Sequence, residues 1–204
     1  MSKYYLHFAL RALQEASNNI IKEYQAEKVG DIIQSRAIVS AAAGIGAAIL
    51  PTGGGSLIAA AVAVGAVWEM YFQINRELGI SISDNKLKSL ASAILSNLLT
   101  NAGSALLILA AAFLGGMIPV VNTLMAPIQA MIAYIAVFAA GILYLKLLTN
   151  LFKAQGSFDM SNFDEKEEVK KVIEESDIDS MIDELKDSYN DDKEKIKEQK
   201  RKQK

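Results

Sequence analysis

Fifty-seven consecutive residues, Ser89 to Leu145, contain no Asp, Glu, Lys or Arg, and neither do the 32 residues from Ala37 to Trp68. Between Ala37 and Leu151 the only charged side chains are Glu69, Arg76, Glu77, Asp84, Lys86, Lys88 and Lys146. Helices at a protein surface show a polar face to water, and seven charges are too few to cover a domain of that length. The centre of the chain must therefore be wrapped by other protein or by lipid, and its charge-free length favours lipid. With a net charge of −2 the chain has no basic field, so nucleic acid is not an expected partner. The absence of cysteine removes disulfides and thiolate chemistry. Charges from Arg11 to Lys28 interrupt every early apolar run, so no secretory signal is expected and insertion would use internal, uncleaved segments.

The uncharged runs read as two helical hairpins. Ala37 to Leu50 is 14 residues, about 21 Å of helix, and Leu57 to Asn75 about 28 Å, against a hydrocarbon core of about 30 Å. Pro51 ends the first arm, and Gly53, Gly54 and Gly55 can supply the positive φ angles of a sharp reversal. Ser40, Gly44 and Ala48 recur at four-residue steps on one arm, Ala61 and Gly65 on the other. Such spacing lets helix backbones approach closely in lipid. The second hairpin opens with Ser83 as cap and Asp84 in the first turn. Leu87, Leu90, Ala91, Ile94, Leu95, Leu98, Leu99 and Ala102 then form an apolar stripe beside a charge-free polar one of Ser89, Ser92, Ser96, Asn97, Thr100 and Ser104. That polar stripe suits helix-to-helix hydrogen bonding inside a bundle. Gly115, Gly116 and Pro119 mark the second reversal, and Pro127 opens a last helix to about Phe152, long enough to span.

Arg36 and Arg76 flank the first hairpin, and Lys86, Lys88, Lys146 and Lys153 the second, while both reversals are uncharged. The positive-inside rule then places both termini in the cytoplasm, whether the short first hairpin crosses or only dips in. The expected fold is all-α: two apolar hairpins forming a membrane-embedded four-helix unit, flanked by amphipathic cytoplasmic helices. Three stretches follow. Residues 1–35 hold an amphipathic helix from Tyr4 to Lys28, with Leu6, Leu10, Leu13, Ile20, Ile21 and Tyr24 on one face. Residues 36–153 form the hairpin domain. Residues 154–204 form a charged tail, a solvated helix through Val169, Val172, Ile173, Met181, Ile182, Leu185 and Tyr189 followed by a disordered end.

Few residues suggest chemistry. PTGGGSL has the glycines and the serine of a phosphate loop, but Gly55 stands where its lysine belongs and the next lysine is Lys86. It is a bend. His7 is the single imidazole, which leaves neither a metal-binding pair nor a serine triad. Asp159, Asp164, Glu165, Glu167 and Glu168 lack the glycine and alternating ligands of a calcium loop. Glu69, inside an apolar helix end beside Trp68, is the one candidate functional carboxylate. Its bland reading is a residue at the membrane interface with Arg76 two turns on. No enzyme and no cofactor are expected.

"ILPTGGGSLIAAAVAVGAVWEMYFQINRELGISIS" and "GGMIPVVNTLMAPIQAMIAYIAVFAAGILYLKLL" resemble the YcjF-type domain of unknown function that accompanies Era-like and dynamin-like GTPases in bacteria. The shared pattern spans roughly Ala37 to Phe152: a Pro-Gly bend, a helix closing before LGISIS, a Leu/Ser helix, then a Gly-Ile-Pro turn and an apolar helix through Gly141 and Tyr144. Leu78-Gly79 departs from it where an aromatic residue would precede the glycine. The resemblance implies a protein of the bacterial inner membrane without catalysis, working with a GTPase that here would act in trans. The expected function is a scaffold or anchor that holds a cytosolic partner at the bilayer, with a homo-oligomer as a further option. Its alternatives are a pore-forming, toxin- or holin-like protein and a soluble helical binding module.

Overall fold

A computed structural model describes residues 3–18, 20–43, 57–115, 121–159 and 163–202, with backbone alone over 57–62, 99, 102–115 and 121–126. The described residues form helices and no strands: α1 (Tyr4–Ala16), α2 (Glu23–Ala42), α3 (Leu57–Leu78), α4 (Asp84–Gly115), α5 (Val121–Gln155), α6 (Glu165–Glu174) and α7 (Ile178–Lys202). The fold is all-α, as its periodicity predicts.

The N-terminal helix is two helices rather than one. Ser17 turns its hydroxyl back to the Gln14 carbonyl at 3.0 Å, and Asn18 takes φ +49°, a left-handed conformation that Asn tolerates better than most residues. The chain restarts at α2, where the Gln25 side chain accepts the Lys22 N–H at 3.0 Å and donates to the Glu77 carbonyl at 2.8 Å. The break changes the phase of the apolar stripe. Leu6, Leu10, Leu13 and Ile21 are buried, whereas Ile20 and Tyr24 are more than half exposed. The end of α3 is set by Gly79 at φ +68°, with the Ile80 N–H bonded to the Asn75 carbonyl at 2.8 Å, a left-handed helix stop that suits glycine. Asp164 caps α6 through the N–H groups of Lys166 and Glu167, and Asp177 caps α7 through that of Ser180.

Helix α5 begins six residues before Pro127 and carries that proline inside it. Proline costs a helix one backbone hydrogen bond, here the one the seventh residue would have made to the Thr123 carbonyl. From Met131 to Leu145 every residue of α5 is buried, so no face of that stretch meets solvent. A helix apolar all round demands such cover. All six other helices touch α5, and the core runs unbroken from Leu6 to Ile196. Among the described residues, Pro127–Gln155 alone is long and apolar enough to cross a membrane, and 94% of its most apolar window is buried in protein. The expected free span is thus a central core helix.

The charged tail supplies part of that cover. Val169, Val172 and Ile173 of α6 are buried, as are Met181, Ile182, Leu185 and Tyr189 of α7. The disordered end expected after them is helical instead: α7 continues to Lys202 and buries Asp192 and Ile196. Apolar residues at helical spacing among dense charges find a partner in α5, which needed one.

Among the described glycines, the closest approach of another helix is at Gly141. A Cβ there would lie 2.8 Å from Cγ2 and 2.9 Å from Cγ1 of Ile33 on α2, and both atoms belong to a stiff β-branched side chain. Gly141→Ala should therefore destabilise the wild-type protein by overpacking, about 1–3 kcal/mol before the gain of about 1 kcal/mol in helix propensity. In an Ile33→Ala background the same change should stabilise, and a double-mutant cycle by chemical denaturation should show coupling above about 1 kcal/mol.

Candidate functional site

The predicted bend residues Pro51, Gly53, Gly54, Gly55, Gly116 and Pro119 lie outside the described residues, as do Gly44 and Ala48. Gly115 is the last residue of α4. Ser40 is buried in α2 and Ala61 lies in the first turns of α3. Gly65 is also on α3, but a Cβ added there would meet nothing within 4 Å. Within one chain, close approach belongs to Gly141 instead. A glycine opposite a bulky residue is invisible to a search for small residues at four-residue steps.

Glu69 is paired across helices. Arg36 Nη2 donates to its Oε1 at 2.5 Å, and Arg36 Nε donates to Gln73 Oε1 at 3.3 Å. Lys28 and Glu77 repeat the contact between α2 and α3 at 3.2 Å. Glu69 is about half exposed, so the pair is a surface link worth little energy. Its partner is Arg36 rather than Arg76. The polar stripe of α4 also differs from expectation. Ser89, Ser92, Ser96 and Thr100 are exposed, and Asn97, Thr100 and Asn101 donate to carbonyls one turn back on their own helix. Short polar side chains satisfied by their own backbone need no second helix.

Two polar constellations do emerge. The first is buried. Asp192 on α7, 3% exposed, accepts from Tyr134 Oη at 2.8 Å, from Gln34 Nε2 at 2.8 and 2.6 Å, and from Lys195 Nζ at 2.9 Å. It joins α2, α5 and α7 through one carboxylate. Burial pushes its pKa up, but the bonds from Lys195, Tyr134 and Gln34 outweigh that and hold it below the ordinary carboxylate value. Nothing in the predicted stripes of α7 marked this residue. Its only sequence signal is a position seven residues after Leu185 and four before Ile196, on the buried face.

The second constellation is a groove of about 850 Å³ between α1 and α2. Lys3, His7 and Arg11 line one side and Glu23, Glu27 and Asp31 the other. His7 is on the helix surface, and no group of His, Asp or Glu able to hold a metal ion occurs among the described residues. On α5, Tyr144 donates to Asn75 at 2.8 Å and stacks on Tyr71 at 3.9 Å, pinning α3 to the core. Comparison with protein families, with curated proteins and with solved structures finds no match to this chain.

The pKa of Asp192 yields a pH dependence of known sign. A carboxylate whose folded pKa is depressed adds stability above its unfolded pKa, and loses it as pH falls through the folded value. Wild-type stability should therefore drop below about pH 4. Asp192→Asn should lower stability by about 1–3 kcal/mol at neutral pH by weakening three bonds, and flatten that acid limb. Denaturation midpoints measured between neutral pH and the acid limb check both.

Proposed function

We propose that this protein is a non-enzymatic scaffold that enters a bilayer by the ends of two apolar hairpins and holds a protein partner on its helical body. One observation carries the reading: the expected turn ends of both hairpins, around PTGGGS and GGMIPVVN, are uncharged in the sequence, whereas the helix with the best spanning composition is already enclosed. Those ends have no amphipathic sheath in the sequence, so lipid is the remaining solvent for them. The proposal narrows the four-helix membrane unit to its ends.

Arg36, Arg76, Lys86, Lys88, Lys146 and Lys153 flank the hairpins on one side, which supports a cytoplasmic body and cytoplasmic termini. The resemblance to the YcjF-type domain supports the bacterial inner membrane as its site and a GTPase acting in trans as its partner. No catalytic step is assigned to it.

The purified full chain should float with liposomes and resist a carbonate wash. Leu50→Lys with Leu114→Lys places an ammonium in each hairpin end, at about 2.5–3.5 kcal/mol each if at the bilayer centre, and should release the protein with its helix content retained. A wild-type chain that stays in the aqueous fraction without detergent would refute the proposal. Release of an encapsulated dye would favour a pore instead.

A further inference from the structure

The groove between α1 and α2 carries opposite charge on its two walls. Lys3, His7 and Arg11 are spaced one turn apart on α1, and Glu15 follows one turn on, paired with Arg11. Glu23, Glu27 and Asp31 are spaced likewise on α2. Among the described residues no ion pair joins the two rows: Arg11 bonds Glu15 on its own helix at 2.9 Å, and the three acids enter no ion pair. The floor is apolar, made by Leu6 and Leu10 on one side and Ala26 and Gly30 on the other. Gly30 keeps it shallow, because a Cβ there would already touch Leu10 at 3.4 Å.

We infer that this groove is the docking site for an amphipathic helix of a partner protein, one with an apolar stripe bounded by an acidic edge and a basic edge. The acidic edge lies along Lys3, His7 and Arg11, and the basic edge along Glu23, Glu27 and Asp31. Three chemically distinct faces are required at once, and a helix presents them where an extended peptide, with side chains alternating between two faces, does not. Nucleic acid and anionic lipid headgroups suit the basic row but are repelled by the acidic one. The occupant is three to four turns long, matching the 13 residues of α1. This inference rests on the partner-holding half of the proposed function and not on its membrane half, so flotation and docking succeed or fail independently.

The test uses the full chain in an uncharged detergent and three fluorescent, stapled helical peptides of about four turns with the same leucine stripe. One carries glutamates on one edge and lysines on the other, one carries lysines on both edges, and one carries glutamates on both. Exchanging the two edges of the mixed peptide would be no control, because the helix could simply lie the other way round. By fluorescence anisotropy the mixed peptide should bind about tenfold tighter than either uniform one, the scale expected of several rim ion pairs. That preference should shrink between roughly 50 mM and roughly 500 mM NaCl. The triple variant Glu23→Lys, Glu27→Lys, Asp31→Lys should switch preference to the all-glutamate peptide. If it does not keep its helical circular dichroism, Glu27→Gln with Asp31→Asn should lose most of the preference for the mixed peptide over the all-glutamate one. Equal affinities for the three peptides, no binding of any, or an unchanged ranking in a folded variant would overturn the inference.

Discussion

The enclosure of α5 is the contact on which the rest of the molecule depends. Met131 to Leu145 has no solvent-facing side, and a helix of that kind in water is stable only when neighbours cover its whole circumference. Gly141 lets α2 approach to the point where a methyl group would collide with Ile33. Tyr71 and Tyr144 fill the α3 side by stacking, with their hydroxyls satisfied at Ala140 and Asn75. Each amphipathic helix gains its cover from the same surface. The marginal helicity of short charged segments such as α6 is thereby converted into fixed structure.

That enclosure also explains the place of Asp192. A sheath helix held only by apolar contacts has several rotational settings of similar energy along a smooth greasy core. A buried carboxylate with donors from α2, α5 and its own helix accepts one setting, because rotating α7 would strand a charge away from water. The lysine that bonds it lies three residues on and remains mostly exposed, so the desolvation falls chiefly on the acid. The site fixes register more than it adds stability.

How much of this was legible in the sequence follows the same physics. The stripe from Leu87 to Leu98, the start at Ser83 and Asp84, and the spacing of Val169 to Tyr189 depend on local chemistry, and the structure keeps them. The single helix from Tyr4 to Lys28 failed at Ser17 and Asn18, where one hydroxyl and one left-handed residue outweigh a continuous apolar period. The stretch from Pro127 to Phe152 keeps the length and apolar composition of a span, but the structure encloses it in protein. Hydropathy measures the need of a helix for apolar surroundings, and it reads the same whether those are acyl chains or the leucines and valines of α1, α2, α6 and α7. Asp192 and the groove were hidden because each is built by helices that only tertiary packing brings together.

The two solvents of such a protein can be separated by asking which apolar residues have amphipathic neighbours to spare. Helices α1, α2, α6 and α7 each have a charged face that ends in water and an apolar face that ends on α5, so they consume each other's needs in the body. The stretches around PTGGGS and GGMIPVVN have no charged residues beside them in the sequence. A second copy could cover them, and so could lipid; the flanking row of six basic residues is an argument for the anionic surface of a cytoplasmic leaflet over a purely protein partner. The groove between α1 and α2 does not share that role, because its acidic row opposes a membrane surface as strongly as its basic row attracts one. In the proposed scaffold, charge would divide the molecule into an end suited to lipid and a side suited to protein.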